Sequence, residues 1–78
     1  MDEVYVIYDS VRKKYVSQII LIPHSDPLVL SIKFGDIYSA IVFDEYAIAI
    51  MEVERIYKSF RRDWPEKKMN LSVRRIYA

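Results

Sequence analysis

Only one stretch of this 78-residue chain carries a helical apolar period. Tyr46, Ile50, Val53, Tyr57 and Phe60 recur at spacings of four, three, four and three, and Ala49 and Ile56 widen the same face. The other apolar residues fall in short runs rich in Val, Ile and Tyr, which suit a pleated, half-buried surface. One helix with several short strands restricts the chain to an α+β architecture, with the helix laid across one face of a sheet.

The first two runs, in EVYVIYDSVRKKYVSQIILIP, are separated by the polar segment from Asp9 to Lys14 and read as a hairpin with strands at 3–9 and 14–22. Pro23 ends the second strand, and PHSDP has the composition of a turn. Gly35-Asp36, between LVLSIKF and IYSAIVF, is a type I′ or II′ hairpin signal because glycine accepts positive φ, and it predicts strands at 28–34 and 37–42. A rival reading starts the helix at Asp36, but Ile37, Ile41 and Val42 are β-branched and weigh against it. Asp44 is the expected N-cap of a helix from Glu45 to about Arg62, with Glu54–Lys58 and Glu52–Arg55 paired on its solvated side. Pro65 closes the helix, and Met69, Leu71 and Val73 alternate with polar residues in a last strand. The expected order is ββββαβ, a single domain over 1–78 with a small antiparallel sheet of four or five strands and one helix packed on one face.

A chain this short buries a smaller share of its surface than a larger one, yet 53% of its residues are hydrophobic. There is no cysteine, so disulfides and thiolate zinc sites are excluded, in keeping with a cytoplasmic setting. The apolar runs Ile19 to Ile22 and Ile41 to Phe43 fall far short of the roughly 20 residues that cross a bilayer. Asp2 and Glu3 stand where a secretory signal carries positive charge, so no membrane role is expected. Net charge is +1, with a mild basic bias toward the C-terminal half.

Groups that perform chemistry are scarce. His24, Ser25 and Asp26 are the three residue types of a nucleophilic triad, but consecutive side chains rarely converge as one, and a polar turn explains them. His24 is the sole imidazole and no dense acidic loop accompanies it, so no metal is expected. One glycine cannot build a phosphate cradle, which leaves no cofactor and no enzymatic function expected.

The positive signal is surplus apolar surface. One helix covers one sheet face, yet Ile20 and Ile22 alternate with Ile19 and Leu21 on both sides of a strand. Ile48 and Met51 lie outside the helix's main stripe. Trp64 covers the end of the helix or serves as an exposed anchor. Ile20, Ile22, Ile48, Met51 and Trp64 are thus the candidate protein-interface residues, in a chain expected to form a homodimer and to bind another protein. The alternative is a nucleic-acid site made by Arg61, Arg62, Lys67, Lys68, Arg74 and Arg75, although Arg74 and Arg75 must point to opposite faces if they lie in a strand.

The pattern YVIYDSVRKKYV, a strand, a charged turn and a Tyr-Val return, followed by VFDEYAIAI opening a helix, loosely resembles small accessory proteins of phages and prophages of Gram-positive bacteria. The resemblance implies a small regulator or inhibitor that binds a host or competing protein complex.

Overall fold

Period-two alternation in β1 (Glu3–Asp9) sends Tyr5, Ile7 and Asp9 to one face of the sheet and Val4, Val6 and Tyr8 to the other. The computed structural model describes residues 3–21, 29–60 and 69–77. It adds β2 (Lys14–Leu21), β3 (Val29–Gly35), α1 (Tyr46–Phe60) and β4 (Leu71–Tyr77). The sheet is antiparallel in the order β3-β2-β1-β4, and α1 packs against the face that carries Ile7. One four-stranded sheet and one helix make the small α+β fold implied by the single helical stripe.

The two halves of the sheet are joined narrowly. β1 and β4 pair in unbroken register from Glu3–Tyr77 to Asp9–Leu71, whereas β1 and β2 pair only at Tyr8–Tyr15 and Asp9–Lys14, beside their turn. Beyond those pairs the hairpin opens into a fork, and the segment 41–43 lies in it. Phe43 exchanges both backbone hydrogen bonds with Tyr5, at 2.8 and 2.9 Å, and the Ile41 N–H donates to the Val16 carbonyl at 3.0 Å. Backbone groups that a continuous β1–β2 ladder would have satisfied are satisfied by this segment instead.

That segment departs from the expected second hairpin. Ile37–Ser39 form a short 3-10 helix, and the return contributes only the single Tyr5–Phe43 bridge to the sheet. Local capping overrides β propensity here. The Asp36 carboxylate accepts the Ser39 N–H at 3.0 Å, and the Ser39 hydroxyl donates to the Asp36 carbonyl at 3.1 Å. Asp36 is therefore the N-cap of these three residues, whereas the long helix that the rival reading starts at Asp36 begins at Tyr46. Gly35 does not have positive φ. Its lack of a side chain leaves room for the Ser39 hydroxyl, which a Cβ there would displace.

A register shift between Val16 and Gln18 inserts Ser17 as an extra residue opposite β3. The bulge turns both Val16 and Ile19 toward the core, where Val16 pairs with Phe34 and Ile19 with Ile32. The core centres on Ile7, Val16, Val53, Ile56 and Leu71, with Ile41 and Phe43 reaching in from the fork. Among the described side chains of α1 those buried are Ala49, Val53 and Ile56, so the buried stripe is rotated away from Tyr46, 54% exposed, and Tyr57, 37% exposed. Tyr57 instead accepts the Leu71 N–H on its hydroxyl at 2.7 Å. The Glu45 carbonyl receives the first helical bond, from the Ala49 N–H at 3.2 Å, which puts Glu45 rather than Asp44 at the cap position. Glu52 and Arg55 pair at 3.0 Å as expected, while the end of the helix near Arg62 lies outside the described residues.

Gly35→Ala is expected to lower stability by about 1 kcal/mol or more, through loss of the Ser39 hydroxyl bond and local displacement. In a Ser39→Ala background the same change should cost clearly less, because the colliding oxygen is gone. Urea unfolding of the four-member mutant cycle checks this, and equal costs in both backgrounds would refute it.

Candidate functional site

Asp9 is the one charged side chain buried completely among the described residues. Its Oδ1 accepts the N–H groups of Val11 at 3.0 Å and Asn70 at 3.1 Å, and its Oδ2 accepts an Arg12 guanidinium N–H at 2.6 Å. Asn70 also bonds back to Ser10, through its side-chain amide at 2.8 Å and its carbonyl at 3.1 Å. Burial pushes the Asp9 carboxyl upward, but the hydrogen bonds from Arg12, Asn70 and Val11, with the Arg12 charge, outweigh it and hold the group below its ordinary 3.8. A carboxylate committed to three donors in this way is a structural clasp. It is poorly placed to serve as a catalytic base.

The described surface presents two other arrangements. The first runs along the chain from the 3-10 helix into α1, where Ile37, Tyr38, Val42, Tyr46, Ile48 and Met51 are all exposed. Tyr38 is 95% exposed and Met51 59%. Tyr46 leans its ring edge-on against Tyr5 at 5.7 Å, so this segment starts from an aromatic contact on the helix side of β1. Ile41 and Phe43 are the inward-facing members of the same segment.

The second arrangement is the sheet face turned away from α1. Tyr8 and Tyr15 sit opposite each other with ring centroids 5.0 Å apart, and the Arg74 guanidinium lies 3.6 Å from the Tyr8 ring centre. The bulge at Ser17 and the inward turn of Phe34 and Ile32 place Gln18, Ile20, Ser31 and Lys33 on this same face. No acidic residue occupies a described strand position there. Val4 and Val6 are nonetheless buried, so the face is not bare apolar sheet.

Of the residues singled out from the sequence, Ile48 and Met51 are exposed on α1. Ile20 is half-buried on the face away from the core, paired with Ser31. Ile22, Trp64, Arg61, Arg62, Lys67 and Lys68 lie outside the described residues, as does the turn with His24, Ser25 and Asp26. Arg74 and Arg75 point to opposite faces, Arg74 onto Tyr8 and Arg75 toward Glu3 at 3.7 Å on the helix side. Sequence reasoning missed Ile37, Tyr38, Val42 and Tyr46, because it placed the first three in a strand and the last on the buried stripe. The Asp36-x-x-Ser39 spacing was the available signal, since it is the spacing of a capping interaction rather than of a hairpin turn.

No protein-family model, no curated protein and no solved structure matches this chain. Among the described residues there is no group of three or more side chains suited to hold a metal ion, and no helix long and apolar enough to cross a membrane.

Because the folded pKa of Asp9 is depressed, its contribution to stability is complete above the ordinary carboxylate range and is lost as pH falls through the folded value. Asp9→Asn, which keeps an acceptor but loses the charge pair with Arg12, should cost about 1–3 kcal/mol at pH 7. The gap between the variant and wild type should then narrow below about pH 4. Thermal unfolding across pH 2–8 measures both, and a gap independent of pH would show that the carboxylate charge is unimportant.

Proposed function

We propose that this protein is a non-enzymatic protein-binding module that acts as a homodimer in the cytoplasm and regulates or inhibits another protein complex. The observation that carries the reading is the exposed apolar segment from Ile37 to Met51. Tyrosine and methionine are enriched at interface cores, and Tyr38 is presented on backbone that the Asp36–Ser39 bonds already order, so little backbone entropy is lost on binding. The likeness of YVIYDSVRKKYV and VFDEYAIAI to phage accessory proteins supports this reading.

A second reading is favoured by the Tyr8–Tyr15–Arg74 arrangement, with Lys33 on the same acid-free face: single-stranded nucleic acid could stack on the tyrosines and place phosphates on the cations. Magnitudes rank it second. Two cations correspond to a log–log salt slope of only about −1.4, and Arg74 already covers one side of the Tyr8 ring.

The two readings separate in capture experiments with folded variants. Tyr38→Lys should weaken retention of a bacterial protein partner at least about 30-fold while Arg74→Glu leaves it unchanged, as expected for loss of an anchor worth about 2 kcal/mol. Retention untouched by Tyr38→Lys would remove the first reading. Salt-sensitive binding of a mixed-sequence single-stranded oligonucleotide, abolished by Arg74→Glu, would establish the second.

A further inference from the structure

We infer that the open edge of β4 takes an extended acidic segment of a foreign protein as a further strand of the sheet. This rests on the protein-binding reading and names the chemistry of its partner.

The direction of each backbone group follows from the fork. Phe43 exchanges both hydrogen bonds with Tyr5 from the β2 side, and in a strand the N–H and C=O of one residue point one way while its neighbours point the other. Tyr5 and Ile7 therefore face the fork, and Val4, Val6 and Tyr8 turn toward their β4 partners Ile76, Arg74 and Ser72. The bond from the Ser10 N–H to the Asn70 carbonyl at 3.1 Å continues the same alternation. Leu71, Val73, Arg75 and Tyr77 are thus turned to the outer side of β4, where the sheet ends. At Leu71 the N–H is taken by the Tyr57 hydroxyl at 2.7 Å. No backbone bond from another described segment reaches Val73, Arg75 or Tyr77 on that side. The helix closes the edge at its first residue and leaves the rest as a template for strand addition.

Side chains select the occupant. Arg74 and Arg75 stand in the middle of this edge, both exposed, one on each face of the sheet. Arg75 meets Glu3 at 3.7 Å, and a guanidinium with five N–H donors keeps others for a second carboxylate. A second copy does not fit. Pairing β4 with β4 in a register centred on Arg74 or Arg75 opposes arginine to arginine. Registers shifted to avoid this either run onto Leu71, whose N–H Tyr57 holds, or use only the end of the strand. The other edge of the sheet, β3, carries Lys33 and no acidic residue. The complementary strand must come from elsewhere and bring its own carboxylates. In antiparallel pairing, slightly the more stable mode, the residues opposite Arg75 and Arg74 are consecutive and both acidic. The next, opposite Val73 at the margin of the core, is apolar.

A capped, fluorescently labelled peptide with the core Val-Thr-Glu-Glu-Val, its first residue opposite Tyr77 and its last opposite Val73, tests this against the full-length protein by anisotropy. N-methylation of its third residue removes the N–H aimed at the Arg75 carbonyl and should weaken binding at least about tenfold, whereas N-methylation of the fourth, aimed away, should cost clearly less. Arg75→Glu, shown to be folded by circular dichroism, should lose this peptide and gain one with lysine at the third position. No binding at about 1 mM peptide would overturn the inference. So would equal effects of the two N-methylations, unchanged affinity in Arg75→Glu, or binding of a single-stranded oligonucleotide in place of the peptide. If Tyr38-dependent capture persisted in any of these cases, the protein-binding reading would stand without the β4 edge. If Tyr38→Lys left capture untouched while the peptide bound as described, the edge would stand without the anchor.

Discussion

A single carboxylate holds together segments that the chain keeps far apart. Asp9 closes the β1–β2 turn through Val11 and Arg12, and the same side chain receives the Asn70 N–H at the entry to β4, 61 residues away. The register of the β1–β4 ladder starts from that bond, and Tyr57 fixes the next residue, Leu71, to the helix. Burying a charge is tolerable only when it is paired and hydrogen-bonded. All the donors at Asp9 come from the elements that must converge there. In a domain of this size, with a total stability of roughly 4–12 kcal/mol, such a junction is a large fraction of what keeps the fold intact.

The fork between β1 and β2 follows from the same economy of contacts. Paired only beside the turn, the two strands leave backbone groups open at Tyr5 and Val16, and the segment 41–43 supplies the missing partners. With Ile41 and Phe43 turned inward to do so, Val42 is turned out, and the 3-10 helix before them rests beside β2 with Tyr38 exposed. The exposed segment is thus a consequence of how the sheet is completed. It is displayed on backbone that is hydrogen-bonded at both ends, which suits recognition better than a loose loop.

The fold class was legible because one 3.6-residue stripe stands among period-two runs, and these periodicities are set by backbone geometry. The hairpin at 3–22, the helix and the last strand follow from them. What escaped depends on contacts between distant residues. Nothing local to VSQII announces that Ser17 is an extra residue, yet the bulge decides that Ile19 rather than Ile20 faces the core. Gly35 was read for its backbone freedom when its use is the absence of a Cβ beside Ser39. Tyr46 and Tyr57 fit the helical stripe by spacing, but among the described residues of α1 the buried positions are Ala49, Val53 and Ile56. Of the candidate interface residues, Ile48 and Met51 were legible because they break the stripe, whereas Tyr38 was hidden by a wrong element.

The pairing of β1 with β4 also bears on the order in which the chain can assemble. β2 and β3 are neighbours in sequence and can pair early, but β1, an interior strand of the sheet, has its only full-length ladder with the last strand. During synthesis β1 emerges first and must wait, held at one end by its turn, until residues 71–77 have left the ribosome. Contacts of such long sequence separation make folding slow, and meanwhile the open edge of β1 is free to pair with other strands. The fork segment at 41–43 becomes available well before β4 does, but it pairs on the side of β1 that faces β2, so the edge that awaits residues 71–77 stays uncovered until they arrive.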